Sequence, residues 1–147
     1  MRQATFLILA IGLAAGCGGA AGGERLTKQE YAAKADTICE KYNREVRELS
    51  NPQNLSELEQ VANQTLPILG NAIRDLKKLK PPANEQAKAD QWLTQVENLQ
   101  DDLTEIRDSA KDKDMQAVQA VVPKAEEHNR RSNALATELG MTVCNSD

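Results

Sequence analysis

Trp92-Leu-Thr-Gln-Val-Glu-Asn-Leu-Gln-Asp-Asp-Leu-Thr-Glu-Ile-Arg-Asp-Ser-Ala110 carries its apolar residues at 92, 96, 99, 103, 106 and 110. The steps run four, three, four, three, four. An α-helix brings positions three and four apart onto one face, so this stretch reads as a helix with a continuous apolar stripe. Gln95, Asp101, Asp102 and Glu105 fall between and read as its solvated side. A stripe of this length needs other elements to cover it, and no segment of the chain alternates as a strand would. The cover must therefore be helical.

Three further segments supply it. Thr27-Lys-Gln-Glu30 has the spacing of a capping box, and Tyr31, Ala35, Ile38, Tyr42, Val46 and Leu49 follow as a stripe that ends before Asn51-Pro52. Ser56-Glu-Leu-Glu59 opens a second helix with Leu58, Val61, Thr65, Leu69, Ala72, Leu76 and Leu79, stopped by Pro81-Pro82. Asn84 is then a candidate cap for the helix of Trp92. Asp114 is one for a fourth, with Val118, Val121 or Val122, Ala125, Ser132, Leu135 and Leu139 inward. Gly140-Met141 reads as a helix C-terminus. Pro67 and Pro123 sit inside helices and predict kinks, because proline lacks a donor and crowds the carbonyl four residues back. Short links between four helices imply antiparallel neighbours. The expected fold is all-α, an up-down-up-down four-helix bundle.

The first residues are of another kind. Arg2 precedes the apolar run Phe6 to Ala15, too short for a spanning helix, and small residues lead to Cys17. Leu13-Ala14-Ala15-Gly16-Cys17 resembles a bacterial lipobox, with Ala14 where Leu, Val or Ile is common. That resemblance implies a signal peptide over residues 1–16, cut before a diacylglyceryl-bearing Cys17. Gly18-Gly-Ala-Ala-Gly-Gly23 then reads as a flexible tether, giving a linker over 17–26 and a bundle domain over 27–147. The alternative is an ordinary secretory signal with an incidental Cys17. Localisation follows as lipid-anchored on the extracytoplasmic face of the cell membrane. In a two-membrane cell, Gly18 rather than Asp after the lipidated cysteine permits sorting to the outer membrane.

Cys39 and Cys144 are the cysteines left once Cys17 is lipidated. An exported compartment permits disulfides, and each has one candidate partner, so they read as a bridge across a loop of about 105 residues. The other reading is two separate buried thiols. The antiparallel topology independently brings the C-terminal tail beside the first helix. Of the 18 basic residues Arg2 leaves with the signal, so 17 face 22 acidic ones. That balance argues against a nucleic-acid partner.

No catalytic constellation, cofactor or metal site is expected. His128 is the single histidine, and Met115 and Met141 lie too far along the helix to share a haem with it. Di-iron bundles need two Glu-x-x-His pairs, and Ala125 stands three before His128. Ser132 is one turn from His128 but brings no oxyanion hole. Asp101-Asp102 and Glu126-Glu127 read as solvated charge, because adjacent residues diverge around a helix. Trp92 reads first as packing. The second reading has Trp92, Pro67 and Pro123 mark a groove or cavity between kinked helices.

Ala35-Asp36-Thr37-Ile38-Cys39 with Asn43, Leu76-x-x-Leu79-Lys80-Pro81-Pro82, and Leu139-Gly140-Met141-x-x-Cys144 resemble a group of small lipoproteins and secreted proteins common in actinobacteria. The resemblance implies four helices pinned by one disulfide and no activity. The leading functional expectation is a non-enzymatic, lipid-anchored module that binds an envelope protein partner. The alternative is a carrier or sensor of a small apolar ligand held between kinked helices.

Overall fold

The computed structural model describes residues 24–145. The expected signal peptide over 1–16, Cys17 and the expected tether as far as residue 23 lie outside the described residues. Four helices form: α1 (Lys28–Arg47), α2 (Leu55–Leu76), α3 (Gln86–Lys111) and α4 (Met115–Glu138), with a short 3-10 turn at Ala83–Glu85 before α3. No strand occurs among the described residues.

The helix starts follow local chemistry. Thr27 Oγ1 accepts from the Glu30 amide, and Glu30 accepts from the Thr27 amide, which satisfies two orphan donors of α1. Asp114 Oδ1 caps α4 through the Ala117 amide at 2.9 Å. α2 begins two residues earlier than a Ser56 cap would place it. Asn54 is its cap, accepting from the Glu57 amide at 3.0 Å, and the Glu57 carboxylate returns to the Gln53 amide. Asn84 caps nothing. The residues after Pro82 first wind into the 3-10 turn, and α3 starts at Gln86 with no side-chain cap.

Contacts at the helix ends fix the order. Lys28 reaches Glu85 at 3.0 Å, Lys88 reaches Glu138 at 2.8 Å, and the Leu26 amide donates to Lys80. The start of α1, the end of α2, the start of α3 and the end of α4 thus share one end of the molecule. At the other end Lys113, after α3, donates to Ser56 at the start of α2. The helices therefore run up, down, up, down. α3 packs most extensively against α4 and α2, and α1 leans chiefly on α2.

The tail closes the first of these ends. Gly140 takes φ 85°, and the Met141 and Gly140 amides return to Ala136 and Thr137, a Schellman turn. Thr142, Val143 and Cys144 then donate their amides to the Asp36 carboxylate on α1. Cys144 is bonded to Cys39, with the Cα atoms 5.3 Å apart. Tyr31, Ala35, Leu76, Trp92, Ala136, Leu139 and Met141 form the dense core here.

The opposite half is looser. Tyr42, Val46 and Leu49 of α1 are only half-buried, and so are Leu99, Leu103 and Ile106 of the α3 stripe. On α4, Val121 is the buried valine and Val122 is 41% exposed. Both helices with an internal proline run unbroken past it, and Pro67 and Pro123 are exposed. Gly70 lies where an added Cβ would be 3.1 Å from Gln100 Nε2, so its missing side chain lets α2 approach α3.

Candidate functional site

The half-buried stripe has a cause. A half-open cavity of about 350 Å³, accessible from solvent, lies among the four helices. Val96, Leu99, Leu103 and Ile106 of α3 form one wall. Leu69, Ala72 and Leu76 of α2 form a second, and Tyr42 with Asn43 of α1 a third. α4 contributes Ala125, Asn129, Ser132 and Asn133. The Cys39–Cys144 bridge and Val143 line the end nearest the tail, and Trp92 the floor. From Trp92 to Ile106 the wall extends about 21 Å at 1.5 Å per residue. The volume is at the lower end of the range for small-molecule sites, ~300–1,000 Å³, and the lining has their character: mainly apolar, with a few polar groups.

Of the residues that the sequence marked for a groove, only Trp92 reaches this cavity. Pro67 and Pro123 are absent from its lining and face outward. The opening is set instead by side-chain size. α2 offers Ala72 and α4 offers Ala125, Ser132 and two asparagines where a filled bundle would place leucines.

Asp102 corrects the sequence reading most sharply. The sequence pattern places it on the solvated face with Asp101. Asp101 is exposed, but Asp102 is 1% exposed and lines the cavity. Three residues after Leu99 and four before Ile106, it falls on the apolar face. A buried carboxylate needs partners, and α4 supplies them one turn apart. His128 Nδ1 lies 2.6 Å from Asp102 Oδ2, and Lys124 Nζ 3.0 Å from Oδ1. A carboxylate only accepts, so Nδ1 carries the hydrogen and donates. Lys124 is shared with Glu105 at 3.1 Å, and its ammonium is held above the ordinary lysine value by its hydrogen bonds to Asp102 and Glu105. His128 and Lys124 are not in the lining, so they hold Asp102 from the outer side of the α3–α4 seam. Ser132 does line the cavity, and His128 does not, so the two do not work as a pair there.

Asp102 Oδ1 is thus engaged by Lys124 at 3.0 Å. Among the described residues, buried Trp92 Nε1 and Gln95 Oε1 have no hydrogen-bond partner. Burial raises the hydroxyl of Tyr42, another lining residue, above the usual tyrosine range.

The signal for Asp102, Asn129, Ser132 and Asn133 was present in the sequence. On α4 the inward positions run Ala125, Asn129, Ser132, Ala136, so a polar pair breaks the apolar stripe at helical spacing. Opposite it stands a carboxylate on the α3 stripe. Polar residues facing one another across two stripes indicate a wet or occupied interior. Among the described residues no group of three or more His, Cys, Asp and Glu side chains is placed to hold a metal ion. No helix among them is long and apolar enough to cross a membrane. No protein-family model, curated protein or solved structure matches the chain.

Proposed function

We propose that this protein is a lipid-anchored, extracytoplasmic binding protein that holds a small, mainly apolar molecule inside its helical bundle. The carrier reading moves ahead of the partner-docking one on a single observation: the best-patterned apolar stripe of the chain lines a cavity of about 350 Å³ instead of a filled core. Trp92, one of its lining residues, carries a buried indole N–H with no hydrogen-bond partner among the described residues.

The cavity is tested with N-phenyl-1-naphthylamine, an uncharged apolar dye. Trp92 is the single tryptophan of the chain and lines the cavity, so bound dye receives energy from it. Saturable transfer is expected in the native chain and strongly reduced transfer in Ala72→Phe, which fills the space. Transfer that is absent, or unchanged by Ala72→Phe, contradicts the proposal.

The anchor is the second part of the proposal. It is supported by the lipobox-like Leu13–Cys17 and by the Cys39–Cys144 bridge, which suits an oxidising compartment. Two acyl chains give stable attachment where one is marginal. Cys17→Ala is expected to move the chain from the membrane to the soluble fraction without lowering its thermal midpoint. A Cys17→Ala chain that stays membrane-bound counts against it.

A further inference from the structure

α1 is the least held of the four helices. It packs chiefly on α2, and its meeting with α4, across the seam that closes the bundle, is slight. Both sides of that seam reach the cavity, Asn43 from α1 and Asn129 and Asn133 from α4. What spans the seam at the dense end is the tail. Cys144 is bonded to Cys39. Asp36, three residues before Cys39 on α1, accepts the amides of Thr142, Val143 and Cys144 at 2.8, 2.9 and 3.0 Å, and the Thr142 hydroxyl as well. The tail is also thin. Val143 lines the cavity on one side and, on the other, an outer groove with Arg44, Arg47 and Glu48 of α1. A single residue thus separates the interior from solvent there. Just upstream, Leu139 and Met141 are fully buried in the core, so the tail has a firm root that depends on neither the bridge nor Asp36. The bridge therefore joins two helices where helix packing is missing, and it does so in the cavity wall.

We propose that residues 142–144 form a strap over the α1–α4 mouth of the cavity, and that thiol–disulfide exchange at Cys39–Cys144 loosens it and releases the occupant. The inference rests on the cavity being a binding site. The co-reactant is a dithiol. One of its thiolates attacks a sulfur of the bridge, and the other cysteine leaves as a thiolate that takes up a proton. The second thiol of the reagent then displaces the first cysteine from the mixed disulfide. Two electrons and two protons pass to the protein, which gains two thiols, and the dithiol becomes a disulfide. Both cysteines are half-buried and line a cavity open to solvent, so a small dithiol reaches them from that side. Asp36 is a second latch. It still holds the three amides after reduction, so the strap is freed fully only when both latches are lost. Asparagine at this position keeps one accepting oxygen, and the donors on the other lose their partner.

The experiment follows dye release and amide exchange in the full-length protein in lipid nanodiscs. The chain is loaded with N-phenyl-1-naphthylamine, excess phosphatidylcholine vesicles are added, and the decay of energy transfer from Trp92 gives the release rate. Dithiothreitol is expected to speed release about tenfold or more, the factor by which one charge-assisted hydrogen bond shifts an opening equilibrium, and reoxidation to restore the native rate. Oxidised Asp36→Asn is expected to release as the native chain does, held by the bridge, and reduced Asp36→Asn faster than the reduced native chain. Hydrogen exchange is expected to rise on reduction at residues 142–144 and to stay unchanged along α3. Release unaffected by dithiothreitol overturns the inference. So does exchange that rises equally along α3, because the whole bundle has then opened. Absence of transfer in the oxidised chain removes the binding site and the strap's role with it. Transfer with release that ignores reduction leaves the site standing and removes only the strap.

Discussion

Two left-handed residues show how helix ends were and were not legible. Gly140 at φ 85° follows from a rule of composition, since glycine enters this region without a Cβ penalty. Lys113 at φ 62° takes the same role after α3, with its amide on Ala110 and that of Asp114 on Ser109, and nothing in its residue type announces it. Gly140→Ala is expected to destabilise by about 1 kcal/mol or more, and Lys113→Gly to stabilise by about 0.5–1 kcal/mol less the value of its bond to Ser56. Chemical denaturation checks both, and a stabilised Gly140→Ala would sink the argument. Asp36 is the residue that the motif around Cys39 contained without explaining. Burial raises its carboxyl, but the amides of Thr142, Cys144 and Val143 and the Thr142 hydroxyl outweigh that and hold it below the ordinary value of 3.8. Its contribution to stability is therefore fully present above that value and is lost as pH falls through the lower folded one. Asp36→Asn is expected to cost about 1–2 kcal/mol near neutral pH, with the gap to wild type closing as pH falls below the ordinary value of 3.8. A gap independent of pH would contradict the assignment.

At the scale of the element, the helices were legible because their stripes are long. The caps at Thr27 and Asp114 stand where residue type and spacing place them. Ser56 was displaced because Asn54 is an equally good cap and has Glu57 three residues on to answer it. The prolines stay out of the cavity lining for a different reason. A helix interior penalises proline by about 3 kcal/mol, which invites a kink and a function for it. Both lie on exposed faces, where the freed carbonyl can turn to water instead of opening the core. Pro67→Ala and Pro123→Ala are accordingly expected to raise the thermal midpoint and to leave dye uptake unchanged. Reduced uptake in either would return the prolines to the site. The α3–α4 seam was the least legible part. A sequence shows that Asp102 stands on a stripe, but its partners 22 and 26 positions away become visible only once the helices are paired.

The whole molecule has a dense end and an open one. The tail, the disulfide and the Asp36 turn are gathered at the dense end, and the same bridge also forms part of the cavity wall. The bridge thus links stability to the site. Cys39→Ala with Cys144→Ala is expected to lower stability by about 2–5 kcal/mol and to weaken retention of a bound molecule, as read by calorimetry and dye release. A variant that melts earlier yet binds the dye as the native chain does would separate the two roles. The topology was legible because four stripes with short links allow little else, whereas the void was not, since a stripe looks the same whether it meets a side chain or a ligand. The central claim is that a small molecule occupies that cavity. Native mass spectrometry of the protein extracted from its host cells in mild detergent tests it most directly. The expected result is a mass above that of the disulfide-bonded chain with its proposed lipid, lost on solvent extraction and absent from Ala72→Phe. A mass accounted for entirely by chain, lipid and disulfide would contradict the claim.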